Sequence, residues 1–191
     1  MAKIAIVYFS GYQHTRKQAE AVHQGAVDVA GTEATLLAID AEGNLPAEAW
    51  DTLAAADAII YGSPTYMGGP AWQFKKFADA SSKAWFTQEW KDKIAAGFTN
   101  SASLNGDKSA TIIYLITLAM QHSQIWIGTG LMPSNKKDAQ RNDVNYLGGF
   151  SGALAQSPSD SSPDEAPGPG DLETARLLGQ RVTEYAVKTR G

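Results

Sequence analysis

The segment that most constrains this chain is Lys3-Ile4-Ala5-Ile6-Val7-Tyr8-Phe9, an apolar run that leads straight into Ser10-Gly11-Tyr12-Gln13-His14-Thr15. A run that is apolar at successive positions predicts a strand covered on both faces, as parallel strands are. A helical pattern follows, with Ala19, Val22, Ala26, Val29 and Ala30 at helix spacing and Gly31 placed to end it. A buried strand that feeds a helix aims several backbone N–H groups at one point, and such a point takes a phosphate. Ser10 and Thr15 bracket the turn with hydroxyls. Arg16 and Lys17 stand in the first helical turn, where cations oppose the helix dipole, so a bound anion would relieve a local conflict. The turn also reads as a plain capped connection between strand and helix. It is not a P-loop, because no Gly-Lys-Ser/Thr follows the glycine, and it is not Gly-x-Gly-x-x-Gly.

Beyond this point strands and helices alternate. Glu33 to Ile39 predicts a second strand, and Pro46 opens a short helix to about Ala55. Asp57 to Gly62 predicts a third strand, and Pro70 starts a helix whose apolar stripe is Trp72, Phe74 and Phe77. Lys93 to Thr99 predicts a fourth strand, Ser109 caps a helix through His122, and Ile125-Trp126-Ile127 is a fifth strand. No periodicity runs from 128 to 170, and Ser157 to Gly170 is dense in Ser, Pro and Asp. That last part reads as a solvated loop or as a semi-rigid wrap over a neighbouring subunit. Asp171 caps a last helix carrying Ala175, Leu178, Val182, Tyr185 and Ala186. The pattern predicts one α/β domain over residues 1–191, a parallel sheet between two helical layers, with a long insertion at 128–170.

Ligands of such sheets sit beyond the carboxyl ends of the strands, where strand order reverses. With the order 2-1-3-4-5, three loops meet there. The first is Ser10 to Thr15. The second is Gly62-Ser63-Pro64-Thr65-Tyr66-Met67-Gly68-Gly69, stiffened by proline and opened by glycine. Thr65 and adjacent amides suit the edge of a flat ring, and Tyr66 and Met67 suit its surface. The third is Asn100-Ser101-Ala102-Ser103-Leu104-Asn105-Gly106, small and polar, on the opposite edge. Taken singly, the second and third loops are ordinary connections.

Composition narrows the remaining classes. Cysteine is absent, which excludes disulfides, thiol catalysis and thiolate metal sites, and no His/Asp/Glu cluster has metal-ligand spacing. A net charge of -4 gives no nucleic-acid footprint. The longest mostly apolar run, Ile112 to Met120, falls short of the roughly 20 residues that span a bilayer, and no signal peptide is evident, so a cytoplasmic protein is expected.

These loops resemble those of a known family. Ser10-Gly11-Tyr12-Gln13-His14-Thr15 is similar to the flavodoxin phosphate loop T-x-T-G-x-T, and more so to S-x-Y-G-H-[ITS] of WrbA-type NAD(P)H:quinone oxidoreductases. Gly62 to Gly68 is similar to that family's G-[ST]-P-T-[RY]-[FM]-G. The resemblance extends through Trp85, the Gln121-His122 region, the long loop and the last helix. Gln13 stands where the family has glycine, and the third loop lacks its Gly-rich run. The resemblance implies a flavodoxin-like three-layer sandwich holding FMN non-covalently. Ser10, Gly11, Tyr12, Gln13, His14 and Thr15 would hold the phosphate. Pro64, Thr65, Tyr66 and Met67 would contact the isoalloxazine, and Asn100, Ser101, Ala102, Ser103, Leu104 and Asn105 its pyrimidine side. It further implies hydride transfer from NAD(P)H to a quinone or dye by exchange over the flavin, in a homodimer or homotetramer. Trp85 and Tyr12 would line the substrate pocket, and His122 would act as the catalytic hydrogen-bond donor. For His122 a structural role at a helix end is the competing reading, and Trp85 is equally a packing residue. A one-electron flavodoxin carrier and an FMN-binding interaction protein without turnover are the alternative functions. A response-regulator receiver shares the topology but needs acidic residues where Ser10 and Gly62-Ser63 stand.

Overall fold

The computed structural model describes residues 1–189. Strand β1 (Ala2–Tyr8) pairs in parallel with β2 (Thr32–Ala38) on one side and with β3 (Ala58–Tyr66) on the other. Strand β4 (Gly69–Pro70) folds back on β3, and β5 (Ile94–Ser101) runs parallel beside β3. The core order is β2-β1-β3-β5-β6, with β6 (Ile125–Trp126) at the edge. This is the expected flavodoxin-like order.

The edge strand departs from expectation. β6 spans two residues and pairs with the start of β5. A separate strand, β7 (Ala153–Gln156), pairs in parallel with Phe98 to Ser101, the end of β5. The long insertion therefore interrupts the edge strand and returns to complete it. Its alternating burial at Ala153 and Ala155 is the mark of a half-covered strand, too short to show as a period in the sequence.

Helices α1 (His14–Val27) and α6 (Pro169–Thr189) cover one face. They touch backbone to backbone: a Cβ on Gly179 would lie 2.0 Å from the Val22 carbonyl oxygen, and one on Gly25 would lie 1.8 Å from that of Arg176. Glycine is the residue that permits this approach. Ile4, Ile6, Val22, Leu178 and Val182 fill the layer beneath. Helices α2 (Ala47–Ala55), α3 (Trp72–Ala80), α4 (Ser82–Phe86) and α5 (Lys108–Gln121) cover the other face over Tyr61, Phe74, Phe77, Trp90 and Leu115.

Several expected ends shift. α1 stops at Val27, and Gly31 turns the chain into β2 at φ 77°. α5 starts one residue before Ser109, and its N-cap Asp107 has φ 51° without a side-chain capping bond. Asp171 stands inside the first turn of α6, where it pairs with Arg141. Trp72 is exposed, while Phe74 and Phe77 of the same helix are buried.

Candidate cofactor site

The three loops meet above the carboxyl ends of β1, β3 and β5, and they enclose a cavity of about 690 Å³. That volume lies within the range of about 300–1,000 Å³ usual for cofactor and ligand pockets. Tyr12, His14 and Thr15 line it from the first loop, Pro64 to Met67 from the second, and Asn100, Ser101 and Ala102 from the third. Ser10, Gly11 and Gln13 face a neighbouring groove, and Ser103, Leu104 and Asn105 lie outside the lining.

The first loop is built to leave donors free. Gln13 takes φ 68° and ψ -8°, the left-handed conformation that the family's glycine adopts at least cost. This bend starts α1 with no side-chain cap. The Arg16 amide donates to Ser10 Oγ at 3.0 Å, and the Lys17 amide to the Gln13 carbonyl at 3.2 Å. Among the described residues, no acceptor in the chain takes the amides of Gly11 to Thr15. These donors and the positive end of α1 suit an anion. The cations of the first turn are paired elsewhere: Arg16 with Glu20 at 2.8 Å, and Lys17 with Asp164 at 3.1 Å.

The second loop is the end of a strand followed by a two-residue hairpin. β3 continues to Tyr66, Met67 (φ 48°) and Gly68 (φ 78°) form the turn, and Gly69–Pro70 pairs back. Positive φ at both turn residues is the type I′ geometry that suits strand twist. Met67 therefore projects fully exposed at the tip. The Thr65 hydroxyl turns inward and shares hydrogen bonds with Thr99 and Thr111, each at 2.8 Å. Only the Thr65 backbone remains for a ring edge. Tyr66 packs edge-on against Tyr12, with ring centroids 6.2 Å apart. A Cβ on Gly11 would fall 2.6 Å from the Tyr66 hydroxyl, so a larger residue here would have to displace the Tyr66 ring.

A fourth wall was not expected. Ser157, Ser159, Ser161 and Pro163 line the same cavity. The segment is held by His14 Nε2 against the Ser161 carbonyl at 3.0 Å, and by Asn100 Nδ2 donating to Ser157 Oγ at 3.0 Å. It closes this chain's own site. Serine at every second position was the available sign, since an extended segment then presents hydroxyls to one side.

His122 and Trp85 are not brought to this cavity. Both line a separate one, of about 450 Å³, with Ser81, Tyr114 and Leu118. Helix α5 explains the distance: it begins beside β5's carboxyl end, and His122 follows its last residue, roughly 20 Å along at 1.5 Å per residue. The imidazole is buried, accepts or donates at Ser81 Oγ (2.9 Å) and lies on Trp90, with centroids 4.3 Å apart. Burial lowers its pKa to about 4. Within one chain His122 is a neutral packing residue.

The residues fit FMN. Free amides and the α1 terminus suit a phosphate, the serine wall suits a polyol, and Pro64 to Met67 and Asn100 to Ala102 flank a slot for a flat ring. Fold and site define a flavodoxin-like FMN protein. Residues 6–127 match the family of NADPH-dependent FMN reductases, and the chain belongs to that family. It is similar to flavodoxin FldP of Pseudomonas aeruginosa (strain UCBPP-PA14), with 52% identity over 182 residues and 95% of each chain covered. It is also similar to an NAD(P)H dehydrogenase (quinone) of Geobacter sulfurreducens, with 30% identity and coverage of 98% of this chain and 99% of that one. A crystal structure of a WrbA-like flavodoxin from Agrobacterium tumefaciens matches with TM-score 0.79 and 49% identity, covering 98% of this chain and 99% of that one. An archaeal flavodoxin, at 18% identity and TM-score 0.60, shares the fold. FMN is the cofactor, and the protein is a WrbA-type member of a flavodoxin-like oxidoreductase family. Among the described residues, no group of three or more His, Cys, Asp or Glu is placed to hold a metal, and no helix is long and apolar enough to cross a membrane.

Proposed function

We propose that this chain passes hydride from NAD(P)H to a quinone or similar flat acceptor, the two using one open face of the cavity in turn. The rim carries this reading. Tyr12 and Met67 stand exposed at the mouth, Tyr66 lies beside them, and the lining has no carboxylate, lysine or arginine. Such a mouth takes flat, weakly polar rings by stacking. FMN, when bound, supplies the hydride acceptor and donor chemistry, and the protein supplies placement and electrostatics. The amides of Gly11 to Thr15 hold the phosphate tail. The Pro64–Met67 strand end and hairpin flank the ring and shield one side from water. Tyr12 orients the incoming ring against Tyr66. The open mouth leaves the acceptor's proton to solvent.

The proposal includes a homodimer or homotetramer. Trp85 and His122 reach a flavin only if a second copy brings them to its rim, and the exposed Trp85 and Phe86 supply apolar surface for that contact. The test is steady-state oxidation of NADH and NADPH with benzoquinone by FMN-loaded protein. Parallel double-reciprocal lines are expected. No turnover with either nucleotide would refute the reading. A one-electron carrier is the second reading, favoured by the relative named a flavodoxin at 52% identity. It predicts no steady-state turnover and use of the rim to dock a redox protein.

A further inference from the structure

Lys108 is a buried cation that lies outside the cavity lining. It opens α5, is 1% exposed, and sits where a positive charge opposes the helix dipole. Its ammonium donates to three successive carbonyls: Ser103 at 2.6 Å, Leu104 at 2.9 Å and Asn105 at 3.4 Å. Across a trans peptide the carbonyl and the next N–H point in opposite directions. The amides of Leu104, Asn105 and Gly106 are therefore turned away from Lys108, on the side opposite the ammonium. Among the described residues, none of the three has an acceptor in the chain. Gly106 (φ 55°) and Asp107 (φ 51°) are both left-handed, so the loop is bent tightly back onto its own lysine.

A second set of contacts holds the cavity-lining end of the same loop. Gln156 Nε2 donates to the Ala102 carbonyl at 3.0 Å, and the Gln156 amide donates to Asp171 Oδ2 at 2.9 Å. Asp171 is 2% exposed and accepts from both terminal guanidinium nitrogens of Arg141, at 2.8 and 2.6 Å. Ala102 lines the FMN cavity and Ser103 follows it. The loop is thus gripped from within at 103–105 and from the insertion at 102.

We propose that Lys108 is a positioning residue for the flavin: by gathering the Ser103–Asn105 carbonyls it fixes the loop whose Asn100–Ala102 end lines the cavity, and so sets FMN affinity and potential. This rests on the FMN site and not on the identity of the acceptor. The α5 dipole and the ammonium together place positive potential behind the loop end that lines the cavity, which favours an electron-rich ring. Burial lowers the Lys108 pKa to about 8, with Arg141 adding to the effect and Asp171 opposing it. The charged groups facing it are Asp171 on α6 and Arg141 on the insertion.

The test compares wild type with Lys108→Met, which keeps length and removes charge and donors. Fluorescence titration with FMN is expected to show at least tenfold weaker binding, and the midpoint potential of the bound flavin is expected to become more negative. A folded variant that binds FMN within twofold of wild type, at unchanged potential, overturns the proposal even if its melting temperature falls. Should the variant not fold, wild type decides alone. Its FMN dissociation constant is expected to rise at least fivefold from pH 7 to pH 9, a range above the phosphate ionisation near 6. A flat profile there overturns the proposal.

Discussion

His122 makes the stability of this protein depend on acid in a way that can be calculated. The imidazole is 2% exposed, and burial holds its pKa near 4 instead of 6.5. Its Nδ1 is buried without a partner, so nothing rewards a proton there. Between these two pKa values the unfolded chain binds a proton that the folded chain refuses, so stability falls as pH falls. For values of about 6.5 and about 4, acidification from pH 8 to pH 5 removes about 2 kcal/mol, and the full loss below pH 4 is about 3.4 kcal/mol. The contribution is fully present above pH 6.5. The perturbation is His122→Leu, which cannot titrate. Chemical denaturation of wild type and variant, both saturated with FMN, is followed by far-UV circular dichroism at pH 8 and pH 5. Wild type is expected to lose about 2 kcal/mol relative to the variant on acidification, since only wild type bears this penalty. A gap independent of pH, or a His122 pKa above 6 by NMR, refutes the reasoning.

Gly62→Ala is expected to destabilise by about 1–3 kcal/mol by overpacking, since the new methyl would lie 2.1 Å from the Phe98 ring within the central strands; thermal melting checks it. Gln13→Gly relieves a left-handed residue and is expected to gain up to about 1 kcal/mol while FMN affinity holds, whereas Gln13→Val is expected to lower both stability and affinity. Asp171→Ala strands Arg141 and the Gln156 amide and is expected to cost about 3 kcal/mol, measured by denaturant unfolding.

The alternation of apolar runs and helical stripes was enough to place β1, β3 and β5 and their three loops, because each strand is buried on both faces. Other features were hidden for identifiable reasons. The edge strand is split into two residues and four, lengths at which alternation carries no signal. Pro64 and the glycines at 68–69 read as loop, although the chain stays extended to Tyr66 and closes in a hairpin. The Ser/Pro-rich segment becomes a wall through contacts to His14 and Asn100, more than 50 residues distant from Ser157 in the case of Asn100. His122 lay near the flavin only by resemblance; a helix of 14 residues carries it to the other end of the sheet. Lys108 carries no sign of its task in the sequence, because that task depends on three carbonyls that fold back onto it.

Paired titrations with FMN and riboflavin test the phosphate grip most directly, since the two ligands differ only in the phosphate that the Gly11–Thr15 amides would hold. One FMN per chain is expected, with riboflavin bound at least a hundredfold more weakly. Equal affinity for the two, or no binding of FMN, would contradict the anion site at the start of α1.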